Sequence, residues 1–235
     1  AAIGHREPGR SDLKESIETA NDLIASGKEG KVGLRPEKML DIEIGYTYTG
    51  DKFSGSANIY MMEYKDMLLE TGKLSDVGYA LKENVDRSWR RGIELAAAYR
   101  PLRWLDINAN LTLSTNMIKD YSAYVEVYDN LDDWNFVRQD EDHIGKTTML
   151  MSPSVTGMAK ISVHPFRTFA SGSLKTTAIS LSGKYVGSQY WDNTEDDSRK
   201  IPAYFVSDLA VSHDFNVGGG ILGLKAFVNN LFNNM

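Results

Sequence analysis

From Leu105 to Ser114 the chain alternates without a break. Leu105, Ile107, Ala109, Leu111 and Leu113 are apolar, while Asp106, Asn108, Asn110, Thr112 and Ser114 between them are polar. Successive side chains of a strand point to opposite faces, so a period of two marks a strand with one apolar and one wet face. The pattern recurs along the chain. Ile42, Ile44, Tyr46 and Tyr48 carry it, as do Phe53, Gly55, Ala57, Ile59 and Met61. Ile93, Leu95, Ala97 and Tyr99 follow, then Val155, Gly157, Ala159, Ile161 and Val163. Ile179, Leu181, Gly183 and Tyr185 come next, then Phe205, Leu209 and Val211, and last Leu222, Leu224, Ala226 and Val228. Eight two-faced strands are expected, most of them long.

The connections alternate in length. Gly50 to Lys52, Pro101 to Arg103 and the Gly-rich Asn216 to Gly220 are tight, and His164 to Leu174 is the loosest of the short set. Long polar segments lie between them, at about 66–91, 115–150 and 188–202. Short and long connections in turn are the habit of an up-and-down transmembrane barrel. Aromatic residues cluster at both ends of the strands. Tyr48, Phe53, Tyr99, Trp104, Phe166, Phe169 and Phe215 stand near the short turns; Tyr60, Tyr64, Tyr185, Tyr190, Trp191 and Tyr204 stand near the long segments. Two belts separated by a strand length fit the interface girdles of a membrane barrel.

Composition narrows the classes. Cysteine is absent, which excludes a disulfide framework and thiolate metal sites. The net charge of −6 argues against a nucleic-acid partner. The four histidines, His5, His143, His164 and His213, form no metal-ligand spacing and no catalytic constellation. No apolar run reaches the ~18 residues of a transmembrane helix, but a membrane strand needs only alternate apolar residues. The polar face carries Glu94, Asp106, Lys160, Lys184, Asp208 and Lys225 near mid-strand. A wet lumen accommodates them, and so does a solvated outer surface. Two rival readings therefore stand beside the large barrel: a complete, passive eight-stranded barrel, and a soluble β-sandwich binding module. The first requires pairing between the first and last strands. The second requires Leu105, Ile107 and Leu111 to be buried within the chain.

Six motifs in order bear on the choice. They are "GHREPGR" (4–10), "LRPEKMLDIEIGYTY" (34–48), "ANIYMMEYKDMLLETGKLSDVG" (57–78), "ENVDRSWRRGIEL" (83–95), "HIGKTTMLMSPSV" (143–155) and "VNNLFN" (228–233). Together they resemble the C-terminal portion of the barrel of a TonB-dependent outer-membrane receptor, in a form similar to those of Bacteroidetes. The resemblance covers nearly the whole chain. It implies an all-β, antiparallel up-and-down transmembrane barrel, here partial, with about nine strands of roughly twenty-two. On this resemblance residues 1–235 are expected to form one piece of that barrel wall, with the plug domain and the final strand absent. "VNNLFN" is expected as a rising strand that reaches the outer interface at Phe232.

The resemblance also implies the function. Such a receptor imports a scarce nutrient (iron-siderophore, haem, cobalamin or an oligosaccharide), energised through TonB, and catalyses no reaction. Its partners are the lipid bilayer, its own N-terminal plug, TonB and the small-molecule cargo. No cofactor is expected. Glu94, Asp106, Lys160, Asp208 and Lys225 would face the lumen and the plug.

Candidate ligand contacts lie in the long segments. The segment 119–147 holds eight acidic residues against three basic ones. Asp129, Asp132 and Asp133 are close enough to share a hard cation, though no full calcium-loop spacing appears. Tyr121, Tyr124, Tyr128 and Trp134 could stack on an aromatic cargo or pack the loop against its neighbours. His143 is a candidate haem ligand or an exposed loop residue, and Trp191 stands in the acidic "WDNTEDDSRK". Residues 11–33 have helical spacing at Leu13, Ile17, Leu23 and Ile24 behind an N-cap-like Ser11, and an irregular loop is the alternative.

Overall fold

The computed structural model describes residues 1–9, 34–74, 80–129 and 135–234; the helical expectation for 11–33 lies outside them. Among the described residues no helix is long and apolar enough to cross a membrane. The strands are β1 (Ala2–Arg6), β2 (Glu37–Thr49), β3 (Phe53–Leu74), β4 (Ala80–Leu102), β5 (Leu105–Tyr128) and β6 (Phe136–Thr148). They continue with β7 (Val155–Val163), β8 (Ala178–Val186), β9 (Gln189–Tyr190), β10 (Lys200–Ile201), β11 (Tyr204–Val217) and β12 (Gly220–Val228).

One antiparallel sheet runs in the order β1-β2-β3-β4-β5-β7-β8-β11-β12, with β6 beside the upper part of β5. Thr148 of β6 faces Met117 of β5, and Val155 of β7 faces Leu113 of the same strand. The two are thus one descending strand interrupted at 149–154, where Met151 takes a positive φ of 50° and Pro153 has no N–H to pair. The tight turns expected at 50–52, 101–103 and 216–220 all lie at the same end of the sheet.

Register aligns the apolar residues into rows. Ile44 faces Ile59, Ile59 faces Ile93, Ile93 faces Leu113, and Leu113 faces Val155. A lower row runs Phe53, Tyr99, Ile107, Ile161, Leu181, Leu209 and Val228. These residues cover one face, yet no described element covers them in turn: Ile44 is 72% exposed and Ile59 58%. A sandwich would have buried this face, and Leu111 remains exposed as well. The sheet is open, with β1 at one edge and β12 at the other. The small closed barrel and the soluble sandwich are both excluded, and the partial antiparallel barrel stands.

Two expectations need correction. The segments near 66–91 and 115–150 are strand for most of their described length, because β3, β4, β5 and β6 climb well past the alternating region. Period two hides this, since the alternation slips. Ile118 and Tyr121, three residues apart, share one buried cluster with Val85, Ala123 and Met149. Asp120 between the first two has a φ of 55°, and Lys119 and Asp120 are both exposed. The second correction is "VNNLFN". The strand stops at Val228, and Asn230 and Asn233 both take φ 50°. Asn tolerates the left-handed region because its side chain bonds locally. Here Asn230 Nδ2 donates to the Asn234 carbonyl at 2.9 Å, and Asn234 N donates back to Asn230 Oδ1 at 3.0 Å. Leu231 N then donates to the Ser207 carbonyl at 2.6 Å, folding the segment against β11.

Candidate functional site

The polar face mirrors the apolar one. Because opposed residues of a ladder point the same way, register places Asn108, Lys160, Ser182 and Asp208 in a single row across β5, β7, β8 and β11. Glu94 faces Thr112 and accepts from Asn58 Nδ2 at 3.4 Å. Lys225 faces Ser212 on the same side. Asp208 Oδ1 accepts from Asn230 N at 2.9 Å, which ties this face to the turn after β12. Asp106, near the short turns, is the most heavily bound of the five. Arg100 Nε donates to its Oδ1; His164 Nε2 lies 2.9 Å and Arg167 Nη1 3.2 Å from its Oδ2. That cluster joins the β4–β5 turn to the β7–β8 connection.

At the other end the polar face meets an ordered loop, 187–203. Asp192 Oδ1 accepts from Thr194 N at 3.0 Å and Thr194 Oγ1 at 2.7 Å, a local Asx turn. Asp196 Oδ1 accepts from Ser198 N at 2.8 Å and caps the 3-10 turn Asp197–Arg199. Arg199 reaches back to the Asp192 carboxylate. Burial raises the Asp192 carboxyl, but the Arg199 and Thr194 bonds outweigh it and hold the group below its ordinary value. The loop is pinned through Asn193, which is 2% exposed. Asn193 Oδ1 accepts from Leu150 N at 2.7 Å, and its carbonyl accepts from the buried Thr147 Oγ1 at 2.7 Å. Thr148 Oγ1 donates to Glu195. The result is a rim with carboxylates at 192, 195, 196 and 197 and an indole, Trp191, 65% exposed.

The expected contact residues divide. Tyr121 is 3% exposed and donates to the Glu70 carbonyl at 2.9 Å, so it packs the hairpins; burial raises its hydroxyl above the ordinary range and keeps it a donor. Tyr124 lies half-buried opposite Glu141. Tyr128 is exposed, donates to Glu126 Oε2 at 2.6 Å and meets Phe136 edge-on at 6.2 Å. His143 is exposed opposite Ser122. Asp129 accepts from Asn135 Nδ2 at 3.3 Å, while Asp132, Asp133 and Trp134 lie outside the described residues. Among the described residues no three His, Asp or Glu side chains are arranged to hold a metal. The pinning role of Asn193 and the Asp192–Arg199 pair were missed in the sequence. The dense Asx-turn residues of "WDNT" were the available signal.

The family described as TonB dependent receptor-like, beta-barrel, matches residues 11–231. No curated protein sequence matches the chain. Among solved structures, the copper transporter OprC is 18% identical with a TM-score of 0.65, over 98% of this chain and 30% of its own. The ferric-catecholate import receptor Fiu of E. coli K12 is 14% identical with a TM-score of 0.58, over 98% and 28%. The FrpB iron transporter of Neisseria meningitidis is 17% identical with a TM-score of 0.54, over 86% and 28%. The chain therefore spans less than a third of the length of these proteins, and the likeness is one of fold. With a family match over nearly all its length and a two-faced antiparallel wall to go with it, the chain belongs to the TonB-dependent receptor β-barrels of the Gram-negative outer membrane.

Proposed function

We propose that this chain forms part of the wall and outer rim of a receptor for active import of a scarce nutrient. The cargo class we favour is an iron-siderophore complex, haem or cobalamin. The observation that carries the reading is the pair of unlike faces held in register. One presents rows of exposed apolar side chains to hydrocarbon, and the other presents Glu94, Lys160, Asp208 and Lys225 to water. A water-filled lumen accommodates a polar face bearing both signs of charge, and on the reading proposed here those charges pair with a plug.

In this reading the polar-face charges meet the plug, and Trp191 and Tyr128 offer ring faces to cargo at the rim. No reaction is assigned to the chain. The test is uptake by the full-length receptor in cells, supplied in turn with iron chelates, haem and cobalamin, with and without TonB. Rescue by one cargo that disappears without TonB is the expected result. Equal uptake without TonB overturns the reading.

A further inference from the structure

Above the apolar band the same face carries a row of cations. Lys38 of β2 faces Lys65 of β3, Lys65 faces Arg87 of β4, Arg87 faces Lys119 of β5, and Lys119 faces Lys146 of β6. His5 of β1 faces Lys38 at the edge. Five neighbouring strands thus present five positive side chains in one line, about 4.8 Å apart from strand to strand. Like charges directly opposed across a ladder are destabilising, and this spacing is well inside the ~8 Å screening length of physiological salt.

The carboxylates nearby do not neutralise the row. Glu63, on the same face, accepts from Arg91 and lies 3.6 Å from Arg87; Asp120 lies 3.8 Å from Lys119. Lys38, Lys65 and Lys146 have no carboxylate within ion-pair distance among the described residues. Beneath the row sits Trp89, with the head groups of Arg91, Lys146 and Arg87 at 5.4, 5.8 and 6.0 Å from its ring centre.

The height of the row is informative. From Tyr99 to Trp89 along β4 the rise is roughly 33 Å, and at a tilt of about 40° this spans about 25 Å, the height of a barrel's apolar band. Tyr99 and Trp89 then mark the two interfaces, and Arg87, at the middle of the row, lies about 5 Å beyond the outer one, at the level of lipid head groups. Because the strands are tilted, opposed residues step by about 3 Å in height from strand to strand, so the row slopes across the head-group layer.

We propose that this row binds the phosphate groups of phosphorylated lipids in the outer leaflet, with Trp89 seated at the interface below them. The phosphates supply the negative charge that the fold leaves out, through charge-assisted hydrogen bonds. The inference uses the membrane placement of the chain and is independent of any cargo.

The test uses the purified full-length receptor in a neutral detergent. Thermal unfolding is followed by intrinsic fluorescence as a bisphosphorylated glycolipid, the same lipid stripped of phosphate, or inorganic phosphate is added. The phosphorylated lipid alone should raise the transition temperature. The Lys65→Gln/Lys119→Gln/Lys146→Gln variant should bind vesicles of that lipid roughly a hundredfold more weakly, each cation at a charged surface being worth about fivefold. Without lipid it should be at least as stable as the parent, because the repulsion is gone. An equal response of the unmodified receptor to the stripped lipid overturns the proposal, and needs no variant to fold. Equal stabilisation by inorganic phosphate also overturns it, leaving an anion site with no lipid preference. The uptake assay reads none of these quantities, so failure here and failure of the transport reading are separable.

Discussion

Tyr60 lays its ring over Gly92, directly opposite it on β3 and β4. A methyl group on Gly92 would stand 2.7 Å from the Tyr60 hydroxyl oxygen and 2.6 Å from the carbonyl oxygen of Leu113. The ring could swing aside, but the carbonyl belongs to the ladder and cannot. Gly92→Ala is therefore expected to cost about 1–3 kcal/mol, as overpacking does. Denaturant unfolding of the full-length receptor in detergent measures it. Replacing Tyr60 by Leu in the same chain should restore little, since the clash with Leu113 persists. A neutral Gly92→Ala would mean that β4 and β5 do not approach this closely.

Asn193 holds the rim loop from beneath. Asn193→Ala leaves the part-buried Leu150 N–H without its acceptor, beside the buried Thr147 and Met149. A fully buried amide left unpaired costs about 1–3 kcal/mol, and one that water partly reaches costs less. The expected signature is local: faster hydrogen exchange and proteolysis within 187–203, with the barrel strands unchanged. Global unfolding at the same denaturant concentration as the parent, together with slow exchange in the loop, would contradict this anchoring role.

The same loop should respond to acid. The Asp192 carboxyl lies below its ordinary value in the folded loop, despite the opposing effect of burial, because Arg199 and Thr194 favour the ionised form. Its contribution is thus complete above the ordinary carboxylate pKa, about 3.9, and is lost as pH falls through the lower folded value. Trp191 fluorescence should hold steady from neutral pH down to about pH 4 and change below it. In Asp192→Asn that acid transition should shrink, leaving the part due to Asp196, whose carboxyl the Ser198 bonds also hold below its ordinary value, with the loop looser at neutral pH.

Strand identity was legible wherever one face is wet and the other apolar, as from Leu105 to Leu113. It was not legible in the upper hairpins. There Ile118 and Tyr121 lie in one cluster at a spacing of three, and Asp120 absorbs the slip with a left-handed backbone. No binary pattern announces such a phase change in advance. The "VNNLFN" turn was hidden for a related reason: Val228, Leu231 and Phe232 suggest a strand, and the turn depends on asparagines adopting positive φ. The polar-face residues were readable individually from parity. The Lys38–Lys146 row was not, since its members lie 22 or more positions apart along the chain and only register assembles them.

Neighbouring residues on the two faces give the most direct test of the orientation. Leu111 faces Leu95 and Gly157 in the exposed apolar rows, about midway along the membrane stretch of β5; Thr112 faces Glu94 and Thr156 on the polar side. An arginine on the lipid side at mid-depth costs about 2–4 kcal/mol, while a lumen position tolerates it. Leu111→Arg should therefore lower the folding free energy of the full-length receptor in vesicles by that amount. Thr112→Arg, one residue away and next to the Glu94 carboxylate, should be close to neutral. Folded and unfolded fractions on an unheated gel, titrated with urea, give both values. If the two arginines cost the same, the assignment of faces fails; if Thr112→Arg is the worse, it is reversed, and either result removes the placement of the cation row on the lipid side.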